Sequence, residues 1–336
     1  MFITITNPFF DNKSFDITSE SLTATVMIPS NEVINKAMSD AKKKLTEWEM
    51  SRDSNILKKW ILEVAFFNKN YSPADLAANT DISSIYGRQW RNTVQQVDTD
   101  NPISMSNGTA YRVKWMKIPN NILMYRLKDF FYYYESCTEE QKAQFFVTNN
   151  LVYSQCSTEV EAWTPLAGVW PSIINRTLIF NFVDKVIDGF TLDFTPVKKV
   201  ANNQGGYDVK PWKIPPGEYR LGMGFKQNLN LDLEILVNDS TLGTTTFGSA
   251  TTFHYDRGGF GYAEGYQEAL DKGLITHSKK GNYDRDGGQI STAVNIKGDA
   301  NGNPSPIVIS LRNVTFGSTT KLILHHWCLR PTSNNY

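Results

Sequence analysis

The spacing of apolar residues changes along this chain. After Asn31 they recur at Ile34, Met38, Ala41, Leu45 and Trp48, one face of a helix, while Lys42, Lys43, Lys44 and Glu47 fall on the other. Leu57, Trp60, Ile61 and Val64 repeat the signal, and Ser72 followed by Pro73 opens another helix. Ahead of these helices, Thr25 to Ile28 is an apolar, β-branched run. Pro29 ends it because proline cannot continue a ladder, and Ser30 or Asn31 can cap the helix that follows. Asn107-Gly108 marks a hairpin turn, since both residues accept positive φ.

From about Ile173 the period becomes two. Tyr219, Leu221, Met223 and Phe225 alternate with Glu218, Arg220, Gly222 and Gly224, and Leu231, Leu233, Ile235 and Val237 alternate with Asp232 and Glu234. Arg176 to Val183, Phe190 to Phe194, Ile307 to Leu311 and Lys321 to Leu329 add further short strands. This pattern predicts an antiparallel β-sandwich of jelly-roll type over 173–336. Between the two patterns, Ile122 to Tyr134 is apolar and aromatic, and Thr138-Glu139-Glu140-Gln141 has the form of a capping box. Residues 120–172 read as an aromatic, helical connecting segment. Phe130, Phe131, Tyr132, Tyr133 and Tyr134 suit a sugar ring or packing against the flanking domains, and packing is favoured. Trp163 and Trp170 share that ambiguity. The expected fold class is thus α+β for 1–119 and all-β for 173–336.

Composition narrows the function. With 336 residues, zero formal net charge and 40% hydrophobic content, two domains with real cores are expected. The balanced charge argues against a nucleic-acid partner, which calls for clustered Lys and Arg. Cys137, Cys156 and Cys328 form no C-x-x-C pair and read as inert or structural thiols. No apolar run approaches a membrane span, and Met1 to Phe10 lacks the pattern of a signal peptide.

Ala24-Thr25-Val26-Met27-Ile28-Pro29-Ser30-Asn31-Glu32 and Ser106-Asn107-Gly108-Thr109-Ala110-Tyr111-Arg112-Val113 resemble the paired signature boxes of a fasciclin-like adhesion domain. An apolar helix between the boxes, the Ser72-Pro73-Ala74-Asp75 helix start and Ile118-Pro119 after the second box strengthen the match. Ala65-Phe66-Phe67 replaces the Tyr-His pair of that family. Further on, Ile214-Pro215-Pro216-Gly217-Glu218-Tyr219-Arg220-Leu221 with Leu233-Glu234-Ile235-Leu236-Val237-Asn238-Asp239 resembles the central strands of galactose-binding-like modules. A fasciclin-like domain followed by such a sandwich resembles bacterial surface lipoproteins associated with glycan uptake. The resemblance implies a non-catalytic adhesion or carbohydrate-binding protein at the cell surface or outer membrane. It also implies neighbouring surface lipoproteins as partners. Because little sequence precedes the first box, the fasciclin-like part is expected to lack its N-terminal helices, and a lipid anchor would reside in a leader absent from this chain.

The candidate binding chemistry concentrates in Thr252 to Gln289, which interrupts the strand pattern with a long aromatic excursion. Tyr255, Tyr262 and Tyr266 in this segment, with Trp212 before it, offer faces on which a pyranose can stack. Asp256, Arg257, Asp284 and Arg285 can orient its hydroxyls. The same segment can instead fold over the sandwich and pack its own aromatics.

Metal and catalytic readings are weaker. Asn282, Asp284, Asp286 and Gly287 match the first half of a calcium loop, but Ala293 stands where a bidentate Glu is required. His325 and His326, adjacent on a strand, are expected on opposite faces. No metal and no cofactor are expected, and no nucleophile elbow, phosphate loop or dinucleotide fingerprint occurs. Two alternatives remain. A glycoside hydrolase would draw two carboxylates from Asp256, Glu264, Asp284 and Asp286. A protein-partner scaffold would expose an apolar patch around Tyr132 to Tyr134.

Overall fold

The computed structural model describes residues 15, 19–78, 81–91, 96–116, 118, 120–157, 160–161, 173–174, 177–183, 189–225, 232–238, 240–246, 288–289, 292–315 and 321–332. The chain divides after Leu123 into two compact units.

The first unit mixes helix and strand. β1 (Ala24–Pro29) leads into α1 (Asn31–Glu47), and the Ser30 hydroxyl accepts the Val33 N–H as its cap. α2 (Ser54–Leu62), β2 (Phe66–Phe67), β3 (Ile103–Met105) and β4 (Gly108–Val113) follow. The sheet order is β2-β1-β4-β3, with β1 and β4 parallel and the other pairs antiparallel. Met27, Ala41, Leu45, Leu57, Trp60 and Tyr111 build the core. Thr25 is fully buried among them because its hydroxyl donates to Lys69 O at 2.7 Å and accepts Tyr71 N–H at 2.8 Å. Gly108 acts differently from its predicted role. It begins β4 opposite Ala24, where a Cβ would come within 1.8 Å of the Ala24 carbonyl oxygen. Close approach of two backbones, not a left-handed turn, is what requires glycine there.

The second unit opens with β5 (Leu127–Phe130), a 3₁₀ turn at Phe131–Ser136, and α3 (Glu139–Phe145). Next come β6 (Phe146–Asn149), β7 (Leu151–Cys156), β8 (Leu178–Phe182), β9 (Thr191–Phe194), β10 (Val197–Ala201) and β11 (Tyr207–Pro211). The series closes with β12 (Gly217–Phe225), β13 (Asp232–Val237), β14 (Ser240–Thr246), β15 (Gly288–Gln289), β16 (Val294–Ile296), β17 (Ile309–Thr315) and β18 (Lys321–Pro331). One antiparallel sheet runs β15-β12-β18-β8-β7, with β16 also on β12 and β5 also on β18. The other runs β14-β13-β17-β9-β6. A single apolar core joins them, with Phe180, Leu221, Met223 and Leu322 from the first and Phe194, Ile235 and Leu311 from the second. This is a β-sandwich.

The sandwich starts earlier than the sequence pattern predicts. β5, β6 and β7 all lie within 120–172, so that stretch supplies strands to both sheets instead of only connecting two domains. Asn150, at φ 58°, turns the chain from β6 in one sheet to β7 in the other. Phe131, Tyr132 and Tyr134 are buried in the sandwich core, which removes the exposed patch a scaffold reading placed there.

Candidate functional site

β18 faces the core with Leu322 and Leu324, then with Trp327 and Leu329. The change from even to odd positions marks a β-bulge. Gly224 on β12 pairs with His326 and Phe225 with Leu324, which leaves His325 as an extra residue. The bulge therefore turns Trp327 inward. It also overturns the expectation for the two histidines, whose Nδ1 atoms lie 2.8 Å apart on one side of the strand.

Trp327 lines a small cleft with Phe130, Tyr133, Phe194, Pro196 and Val197. Trp212 stands edge-on to it, ring centroids 5.5 Å apart at 80°. The Trp212 N–H donates to Pro196 O at 2.7 Å, which ties the end of the β10–β11 hairpin to the cleft wall. Lys199 on β10 places its Nζ 4.9 Å from the centre of the Tyr133 ring.

Asp129 gives this region its electrostatic character. Burial pushes its carboxyl up to about 8, against the Phe130 N–H it accepts at 2.8 Å and the Lys199 ammonium, both of which pull it down. Near neutral pH the group is thus largely a protonated acid, able to donate as well as accept a hydrogen bond. The Tyr133 hydroxyl is also raised, first by burial and then by the Asp129 charge. Aromatic edges and an exposed ammonium together offer apolar contact and a directed polar contact, with the neutral Asp129 carboxyl buried behind them. Among the described residues, no group of three or more His, Cys, Asp or Glu side chains is placed to hold a metal ion.

Of the predicted site residues, Trp212 is described, half-buried and partly covered by its contact with Trp327. It is not an open platform. Tyr255, Asp256, Arg257, Tyr262, Tyr266, Asp284 and Arg285 lie outside the described residues. The sequence reading missed Asp129, Lys199 and Trp327. A lone acid inside the apolar run from Ile122 to Tyr134 was the available signal for Asp129, and the shift in alternation along β18 was the signal for Trp327.

No protein-family model matches this chain, and no curated protein matches it. Among solved structures, the native structure of a family 35 carbohydrate binding module from Clostridium thermocellum aligns with 56% of this chain and 92% of its own, at 9% identity and a TM-score of 0.26. A TM-score that low does not establish a shared fold.

Proposed function

We propose that this chain is a non-catalytic carbohydrate-binding protein whose sandwich, of jelly-roll and galactose-binding-like type, captures a glycan at equilibrium. The observation that carries the reading is the small cleft on the β-sandwich lined by Tyr133 and Trp327, with Trp212 edge-on to Trp327 and the Lys199 ammonium over the Tyr133 ring. Half-buried aromatic rings, Trp212 and Tyr133, lie there beside the exposed Lys199 ammonium, which can donate to a hydroxyl. The aromatic and charged inventory of Tyr255, Asp256, Arg257, Tyr262, Tyr266, Asp284 and Arg285 supports the same chemistry. In this reading the first unit is a fasciclin-like adhesion module. The protein is displayed at the cell surface through a lipid anchor and collects glycan for uptake beside neighbouring surface lipoproteins. The capped strand-to-helix passage at Ser30 supports the fasciclin-like part.

The test is a glycan array probed with the full chain, repeated with Trp212→Ala, Tyr255→Ala and Asp284→Ala and assayed for released reducing sugar. Binding of millimolar to micromolar strength, about 4 to 8 kcal/mol, that these substitutions abolish without sugar release is expected. Product release would make the protein a glycoside hydrolase, and absence of binding to any glycan would favour a protein-partner scaffold.

A further inference from the structure

His325 and His326 occupy the point where β18 changes neighbours. On one edge β8 pairs with 321–324 and β5 takes over from His326 to Leu329. On the other edge the pairing with β12 skips His325. Both side chains are fully buried. The His326 ring lies over Gly224, where a Cβ would come within 2.2 Å of its Cε1. Phe130 stands edge-on to His325, with centroids 5.3 Å apart. The two imidazole planes meet at 84°.

A 2.8 Å contact between two ring nitrogens requires one proton between them. Two bare lone pairs repel, and two N–H groups collide. In the neutral pair, one ring therefore carries its proton on Nδ1 and the other on Nε2. Adding one proton gives an imidazolium that still donates from Nδ1 to its neutral neighbour. A second added proton sets N–H against N–H and leaves two positive charges in a buried site, where charge is costly.

We propose that His325 and His326 form a proton-sharing pair that locks the β18 bulge, and that full protonation of the pair releases it. The charged or titratable groups nearest in register on the packed elements are Lys128 and Asp129 on β5, Arg220 on β12, Tyr132 in the 131–136 turn, and Cys328 and Arg330 on β18 itself. β8 contributes none. Of these groups only an ionised Asp129 would favour imidazolium, and its carboxyl is held largely neutral near pH 7. In the unfolded chain both histidines take up protons near pH 6.5. Below that pH the unfolded chain binds more protons than the locked pair accepts, so stability falls as pH falls.

The experiment uses the full chain carrying His254→Gln and His277→Gln, which leaves only this pair of the four histidines. With ¹⁵N-labelled imidazoles at pH 7.5, one Nδ1–H and one Nε2–H tautomer are expected. On acidification, the second ring is expected to become imidazolium only together with loss of the near-ultraviolet circular dichroism of the packed aromatics. Two Nε2–H tautomers at pH 7.5, or two imidazolium rings in a chain that keeps its near-ultraviolet signal, would overturn the proposal. Should the double variant not fold, the unsubstituted chain still decides: its spectrum must contain an Nδ1–H tautomer, and lack of one sinks the pair.

Discussion

Arg88 donates from both Nε and Nη2 to one oxygen of Glu63, at 2.9 and 2.6 Å, and neither side chain reaches solvent. Glu63 follows α2 directly, and Arg88 is presented by a tight turn in which Ser84 N–H donates to Arg88 O and Gly87 takes φ 72°. Taking two charges out of water is expensive, and their mutual attraction roughly offsets that cost. Removing one partner leaves the other charge buried, so Arg88→Met is expected to destabilise the first unit by about 3–5 kcal/mol. Combining it with Glu63→Leu should recover most of the loss. Urea unfolding of both variants measures the difference, and equal costs would mean that Glu63 left without Arg88 is not the source of the loss.

Two glycines are fixed by what lies opposite them, and their substitutions should differ in severity. At Gly224 an added methyl meets the His326 ring, a side chain instead of backbone, so the clash can be relieved by displacing that ring and its contact with His325, and Gly224→Ala is expected to cost about 1–3 kcal/mol. At Gly108 the obstacle is the Ala24 carbonyl, part of the parallel β1–β4 ladder, so relief would have to move backbone and break the ladder. Gly108→Ala should therefore cost more than Gly224→Ala. Thermal unfolding of the two variants ranks them directly.

Where local chemistry decides the structure, single residues were readable. Ser30 caps α1, Thr138 opens α3 through a capping box, and Tyr219, Leu221, Met223 and Phe225 all enter the sandwich core as their alternation predicts. Features set by tertiary pairing were not readable in the same way. The run from Ile122 to Tyr134 places its polar residues, Arg126, Lys128 and Asp129, at no sustained period, so its pattern does not separate a linker from a core strand followed by a tight turn. The bulge at His325 depends on β12 across the sheet, and strict alternation applied to β18 alone puts the two histidines on the wrong faces. Of the sugar-binding residues expected from the sequence only Trp212 is described, and the contact that partly covers it, Trp327, takes its inward direction from that same bulge.

The raised carboxyl of Asp129 carries a pH signature. In the unfolded chain an aspartate loses its proton near pH 3.8, whereas in the folded chain it keeps it up to about 8. Between those values the folded state binds more protons, so this residue makes stability fall as pH rises and adds no further change above about pH 8. Asp129→Asn keeps an oxygen to accept the Phe130 N–H but cannot ionise. It should match the native chain near pH 4 and exceed it near pH 9 by at least about 1.4 kcal/mol, the free energy of a tenfold change in proton affinity. Denaturant midpoints across that range test the divergence, and a constant offset would remove Asp129 as its source.

Gln141 serves two structures at once. Its Oε1 accepts the Thr138 N–H at 3.0 Å while its own N–H donates to the Thr138 hydroxyl at 3.2 Å, closing the capping box of α3. Its Nε2 meanwhile donates to Val209 O on β11 at 3.0 Å, linking α3 to the hairpin that carries Lys199. Thr138→Ala removes the cap alone and should cost about 1 kcal/mol. Gln141→Glu keeps the acceptor for the box but replaces the donor with a carboxylate oxygen facing the Val209 carbonyl. Hydrogen exchange separates the two effects. Thr138→Ala should speed exchange in the first turn of α3, and Gln141→Glu should spare that turn while loosening the amides of Val197–Ala201 and Tyr207–Val209. Loss of protection confined to α3 in both variants would show that the hairpin is held by its own ladder and by the Trp212 N–H to Pro196 bond, without the Gln141 tie.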